Sequence, residues 1–180
     1  EVDAQGFLDK EEENIVALIE KLRTAVDAES DDSVLEPMVN RLIQVVKNWD
    51  FVAQPIQVST KSQGLDHDAS IRVAKTLRSL AIYMFNEHGK LELCQKLTNM
   101  LQEVFAEVVE IAELIATDAD TLDDLAEQRA QWIEGAQERV EEWRKEITYE
   151  AEVGAVFKDT LRISPEGIEW KGRRWPLDSI

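Results

Sequence analysis

Apolar positions recur at three- and four-residue steps along most of the chain and change to alternation only near its end. Ile15, Leu18, Ile19, Leu22 and Val26 predict a first helix over about residues 8–28, with Glu11, Glu12 and Glu13 in its opening turns. Leu35, Met38, Val39, Leu42, Val45, Val46 and Trp49 predict a second, capped from Ser30-Asp31-Asp32-Ser33 and ending near Trp49. Residues 50–65 hold Pro55 and Gly64 without a clean period and read as a long connecting loop. Asp66 or Asp68 caps a third helix, lined by Ile71, Ala74, Leu77, Leu80, Ala81, Met84 and Phe85 and closed by Gly89.

From Leu91 an apolar stripe through Cys94, Leu97, Leu101, Val104, Phe105, Val108, Ile111 and Ile115 predicts a fourth helix closing near Thr117, antiparallel to the third. A fifth starts at a Thr117 or Asp118 cap and runs to about residue 150. It carries Leu122, Leu125, Trp132, Ala136, Val140, Trp143 and Ile147 at near-heptad spacing, with Arg129 as the polar exception. The period then becomes two, in Leu161 and Ile163, Ile168 and Trp170, Trp175 and Leu177, punctuated by Ser164-Pro165-Glu166-Gly167 and Lys171-Gly172-Arg173. The expected fold is all-α: a five-helix antiparallel bundle over residues 1–155, then two or three short antiparallel strands over 156–180. Residue 1 is Glu, and the final strand pattern has no partner after it, so the chain reads as a piece of a longer protein whose next domain starts at 156.

Composition supports this picture. Only 7 Gly and 4 Pro in 180 residues leave little punctuation for a sandwich or barrel, and 44% hydrophobic residues are too many for a disordered acidic tail. The formal charge of −17 opposes binding to nucleic acid or anionic lipid, which need Lys and Arg to displace counterions. Residues 158–180 are the exception, with five basic groups against four acidic ones. No apolar run reaches membrane-spanning length, no signal peptide is visible, and a single Cys fits a reducing, cytoplasmic setting.

The candidate chemistry is sparse. His67 and His88 lie too far apart along one helix to share a metal. His88 and Cys94 straddle the Gly89 turn without an orienting third group, and Cys94 reads as a core residue. Glu103, Glu107, Glu110 and Glu113 lack the Glu-x-x-His pairs of di-iron bundles and read as a solvated face. Asp118 to Asp124 has Leu122 at a ligand position of a calcium loop and reads as an acidic helix start. Phosphate-loop, dinucleotide, nucleophile-elbow and metalloprotease signatures are missing, so neither a cofactor nor an enzyme is expected. Trp170, Arg173, Arg174 and Trp175 form a basic and aromatic cluster with some potential for single strands.

Leu80 to Ala106, with Phe85, Gly89, Leu91, Cys94 and Leu101, resembles one tetratricopeptide helical hairpin, with Ala81-Ile82 where that pattern has Leu-Gly. Asn48-Trp49-Asp50-Phe51, Pro55-Ile56-Gln57, Leu65-Asp66-His67 and Arg78-Ser79-Leu80-Ala81 resemble helical regions of multidomain bacterial proteins without an assigned activity, some linked to J-domain modules. Leu161 to Trp170, followed by Trp175-Pro176-Leu177, is similar to the opening strands of bacterial pleckstrin-homology-like domains. The resemblance implies a module of a larger cytosolic bacterial protein.

The functional expectation is a non-catalytic module for protein contact or self-association, using Trp132, Ala136, Val140, Trp143 and Ile147. The alternative is a small-molecule or enzymatic site on the 50–68 segment, built from Trp49, Asp66, His67, Asp68 and Arg72 with His67 as general base. That alternative requires a pocket enclosing His67 with Arg72 or Trp49.

Overall fold

The computed structural model describes residues 4–65, 67–153 and 159–176. Asp66, Lys158 and Leu177, on which parts of the sequence reading fall, lie outside them. Five helices come first: α1 (Ala4–Asp27), α2 (Asp32–Ser62), α3 (Asp68–His88), α4 (Leu91–Val104) and α5 (Val109–Glu146). Four strands follow among the described residues, β1 (Tyr149–Val153), β2 (Asp159–Ser164), β3 (Gly167–Trp170) and β4 (Arg173–Trp175). The fold is mostly helical with a small antiparallel sheet at its C-terminal end, as the periodicity predicts.

Two compact units divide the chain, one through Ala126 and the other from Glu127, and the division falls inside α5. The buried residues of α5, namely Ile111, Ile115, Ala119 and Leu122, all belong to the first unit. The change of period near residue 155 lies within the second.

In the first unit α1 packs on α2 and α3, and α4 packs on the same two helices, so the four surround one core. The α3–α4 corner forms as its sequence demands. Gly89 takes the left-handed conformation (φ 62°) that Cβ-bearing residues avoid, and its N–H and that of Lys90 reach the carbonyls of Phe85 and Met84. Trp49 and Phe105 are fully buried, with ring centroids 6.3 Å apart and planes tilted by 41°.

Two helix boundaries differ from the sequence reading. Most of the 50–65 segment is helix rather than loop, since α2 continues through Pro55 to Ser62 and only 63–65 remain as connection. Trp49, Ala53 and Gln57 are buried at four-residue steps with Ile56 beside them, so the period survives, and burial of this face outweighs the proline. The second correction moves the α4–α5 break from Thr117 to residues 105–108. Buried Phe105 and Val108 fill the core there, while Thr117 and Asp118 are helical. The Thr117 hydroxyl donates to the Glu113 carbonyl (2.9 Å), and Asp118 accepts Arg78 Nε and Nη2 at 2.6 and 3.0 Å.

In the second unit the helix also stops earlier than expected, at Glu146, and Tyr149–Val153 forms an additional strand. The sheet is a meander in the order β1-β2-β3-β4. Pro165-Glu166 joins β2 to β3, with Ser164 opposite Gly167. Lys171 and Gly172 (φ 50° and 71°) link β3 to β4 in the positive-φ geometry that matches strand twist.

Pro55 lacks the N–H that would reach the Phe51 carbonyl, and Phe51 itself is 82% exposed. Pro55→Ala is expected to stabilise the protein by about 1–3 kcal/mol, less the entropy returned to the unfolded chain. A urea unfolding curve for each protein, with the midpoint moving up in the variant, checks this.

Candidate functional site

Two places in the structure gather the candidate residues, one in each unit. In the first unit, α2 delivers Trp49 and Gln57, while the start of α3 delivers His67 and Ser70. His67 is the N-cap residue of α3, half-buried, with its ring stacked near Trp49 at 6.4 Å between centroids and 27° between planes. Ser70 Oγ donates to Gln57 Oε1 (3.3 Å) and lies 2.8 Å from His67 Nδ1. With the single hydroxyl proton used on Gln57, Nδ1–H of His67 is the donor to Ser70, which leaves Nε2 as the basic nitrogen.

Burial pushes the His67 pKa below its ordinary value, and the positive charge of Arg72 adds to this; Asp68 and Glu12 act in the opposite direction. A neutral imidazole is the right state for a base. The cavity beside it, however, measures about 30 Å³, room for one or two waters, whereas small-molecule sites run to roughly 300–1,000 Å³. Of the five residues in the alternative site, Trp49 and His67 are therefore adjacent. Arg72 turns to α1, where Nε and Nη2 both reach the Glu12 carboxylate at 3.2 Å, and it does not line the cavity. Asp68 is exposed in the first turn of α3.

Other titratable groups of this unit are engaged in packing or ion pairs, although Cys94 and Asp118 also line a cavity of about 260 Å³ between α3, α4 and α5. Burial raises the Cys94 pKa to about 11 against a bond from Thr98, so the thiol stays protonated near neutrality. His88 faces away from it: Nε2 lies 3.2 Å from the Tyr83 hydroxyl and 3.4 Å from Asp27, and Tyr83 donates to Asp27. Arg23 covers the Tyr83 ring at 5.1 Å. This cluster joins the C-terminal ends of α1 and α3; only its spacing across two helices carries it, which a linear motif does not reveal. Glu103, Glu107 and Glu110 bond Lys47, Lys61 and Lys75 at 2.7, 2.7 and 2.5 Å on an exposed face. Among the described residues no cluster of His, Cys, Asp or Glu is placed to hold a metal, and no helix is long and apolar enough to cross a membrane.

In the second unit the apolar groups lie open to water. Trp132 is 70% exposed and Trp143 55%, and Val140 and Ile147 are exposed with them, Ala136 being half-buried. At 100° per residue these five positions fall within about 80° of the helix circumference, a single narrow stripe. The Ile147 N–H still bonds the Trp143 carbonyl (3.1 Å), so it extends the same row. Residues directly opposite in a ladder share a face, and the register puts Tyr149, Ala151, Leu161, Ile163, Ile168, Trp170 and Trp175 on one side of the sheet. Glu150, Arg162, Glu169 and Arg174 occupy the other. Of the basic and aromatic cluster, Trp170, Arg173 and Trp175 share the first side, Arg173 opposite Trp170, while Arg174 stands opposite Glu169 on the other; Lys171 Nζ lies over the Trp170 ring at 4.7 Å.

The depressed pKa of His67 has a defined consequence for stability. Its neutral form is favoured on folding, so the unfolded chain binds the extra proton first as pH falls below about 6.5. Stability is fully present above that pH and is lost as pH falls through the folded pKa. His67→Gln is expected to flatten this part of the pH profile, measured as urea midpoints between pH 7.5 and 5. Compared with known proteins, the chain matches no family model, no curated protein and no solved structure.

Proposed function

We propose that this chain is a non-catalytic assembly module that associates with protein through the Trp132–Ile147 stripe of α5. The observation that carries the reading is the pair of exposed tryptophans on one helix face. Side chains of this kind dominate interface energetics when buried, and scattered single apolar groups do not produce such a row. Together the stripe offers on the order of 400–500 Å² of apolar surface, within the range of the largest patches on monomeric proteins, which are often functional.

The first unit supports the reading from the other direction. Its helical stripes line its own core, its exposed apolar groups such as Phe51, Leu65 and Val109 form no tryptophan-bearing row, and the cavity at His67 admits water rather than a metabolite. The lone buried thiol of Cys94 suits a reducing compartment such as the cytoplasm.

Light scattering across a concentration series tests it. The wild-type chain is expected to exceed its 20.5 kDa mass and to do so increasingly with concentration. Trp132→Glu with Trp143→Glu should return it to 20.5 kDa with unchanged helical content by circular dichroism. A wild-type chain holding 20.5 kDa at every concentration overturns the proposal.

A further inference from the structure

Within the first unit, α5 comes less close to α3 and α4 than those two helices come to each other, and two polar bonds span the distance. Arg78 on α3 reaches Asp118 with Nε and Nη2 at 2.6 and 3.0 Å, and Gln95 on α4 reaches Asp123 with Nε2 at 2.9 Å. Where the helices stand apart lies the cavity of about 260 Å³. Ala81, Ile82 and Phe85 of α3 line it at one- and three-residue steps, and Cys94 of α4 and Leu122 of α5 close it from the other sides. A void of this size costs stability that a larger side chain at Ala81 would recover, so its small residue keeps a space open.

The lining selects the chemistry of what fits there. Ala81, Cys94, Thr98 and Leu122 are buried, and the Cys94 thiol is uncharged near neutrality and bonded by Thr98. The one ionised group of the lining, Asp118, has each carboxylate oxygen on an Arg78 nitrogen. A charged ligand would give up its hydration and find that charge already answered, which leaves neutral molecules. At the mouth Asn86 and Thr121 are exposed, and the Thr121 hydroxyl spends its proton on the Thr117 carbonyl (2.8 Å), so its oxygen is free to accept. Size sets a further limit: a dry cavity of about 150 Å³ holds benzene, so in proportion about 260 Å³ holds roughly ten non-hydrogen atoms. That is just below the range of drug-sized sites, far above the water-sized space at His67, and too small for a partner helix.

We propose that the cavity between α3, α4 and α5 binds a neutral aromatic molecule of about ten non-hydrogen atoms, its ring among Ile82, Phe85 and Leu122 and a single N–H or O–H donor turned to Thr121 at the mouth. A ring is favoured over a flexible chain because Phe85 supplies an aromatic wall and a rigid body has no rotors to freeze. The site lies wholly within the first unit and stands independently of the association proposed through the Trp132–Ile147 stripe.

Indole has this size and one N–H, and its titration into the full chain, followed by nuclear magnetic resonance, tests the proposal. Saturable binding with Kd on the order of 0.1 mM is expected, with ring-current shifts concentrated on the methyl signals of Ala81, Ile82 and Leu122. Ala81→Leu places a side chain in the space and should weaken binding by about tenfold or more while the urea midpoint holds or rises. Leu122→Phe fills the same space from α5 and should lose binding alike, which keeps the test open if one variant fails to fold. 1-Methylindole, which lacks the N–H, is expected to bind the wild-type chain several-fold more weakly than indole, and Thr121→Val should remove that difference. Binding that survives both filling variants, or shifts that fall on Trp132 and Trp143 instead, overturns the proposal by placing the ligand elsewhere. Indole-3-acetate bound as tightly as indole overturns the neutral class, and no saturable binding up to the solubility limit of indole overturns the site. None of these readouts depends on whether the chain associates.

Discussion

Removal of the Trp49 indole from water is the constraint on which the first unit depends. Trp49 is fully buried where α2, the start of α3 and the α4–α5 break converge, with His67 on one side and Phe105 on another. A side chain this large must be enclosed from several directions, and the chain meets the demand by ending α4 where Phe105 and Val108 can turn inward. Neither Gly nor Pro marks that corner. The indole N–H itself finds no acceptor among the described residues, so apolar and aromatic packing, rather than a hydrogen bond, fixes the ring.

The two units treat their apolar residues in opposite ways. In the first, every helix spends its stripe on the common core, and the polar remainder forms exposed ion pairs such as Lys47–Glu103 and Lys61–Glu107, each of small energetic weight. In the second, α5 and the sheet are both sided without being covered: five of the exposed large apolar groups are Trp132, Trp143, Tyr149, Trp170 and Trp175. A sheet or helix with one apolar face is a half-finished layer, and the association proposed through the α5 stripe completes the helical one.

What was legible in the sequence is what local chemistry dictates. Gly89 announces the α3–α4 corner because only a residue without Cβ takes that conformation at no steric cost, and Lys171-Gly172 announces the last hairpin for the same reason. The passage of α2 through Pro55 was hidden because proline is a local penalty, whereas the burial of Ala53 and Gln57 that outweighs it depends on neighbouring helices. The α4–α5 break was misplaced at Thr117-Asp118 because those residue types favour caps, yet Arg78 on α3 supplies Asp118 with a better partner. Of the site residues, the α5 stripe could be read from spacing alone, while the His67–Ser70–Gln57 relay joins residues whose adjacency arises only once α2 is seen to extend past Trp49.

The order in which the four helices surround their core bears on how the chain reaches it. Each of α1–α2 and α3–α4 is a hairpin of sequence neighbours, and the contacts α1–α3 and α2–α4 join one hairpin to the other. Loop-closure entropy for each hairpin is therefore small, and the contacts of high sequence separation are concentrated where the two pairs meet. Among those contacts is the one joining Trp49 from the first hairpin to Phe105 beyond the second. Trp49 therefore lies on the seam between the two hairpins, which binds them into one core rather than a sum of two independent pairs.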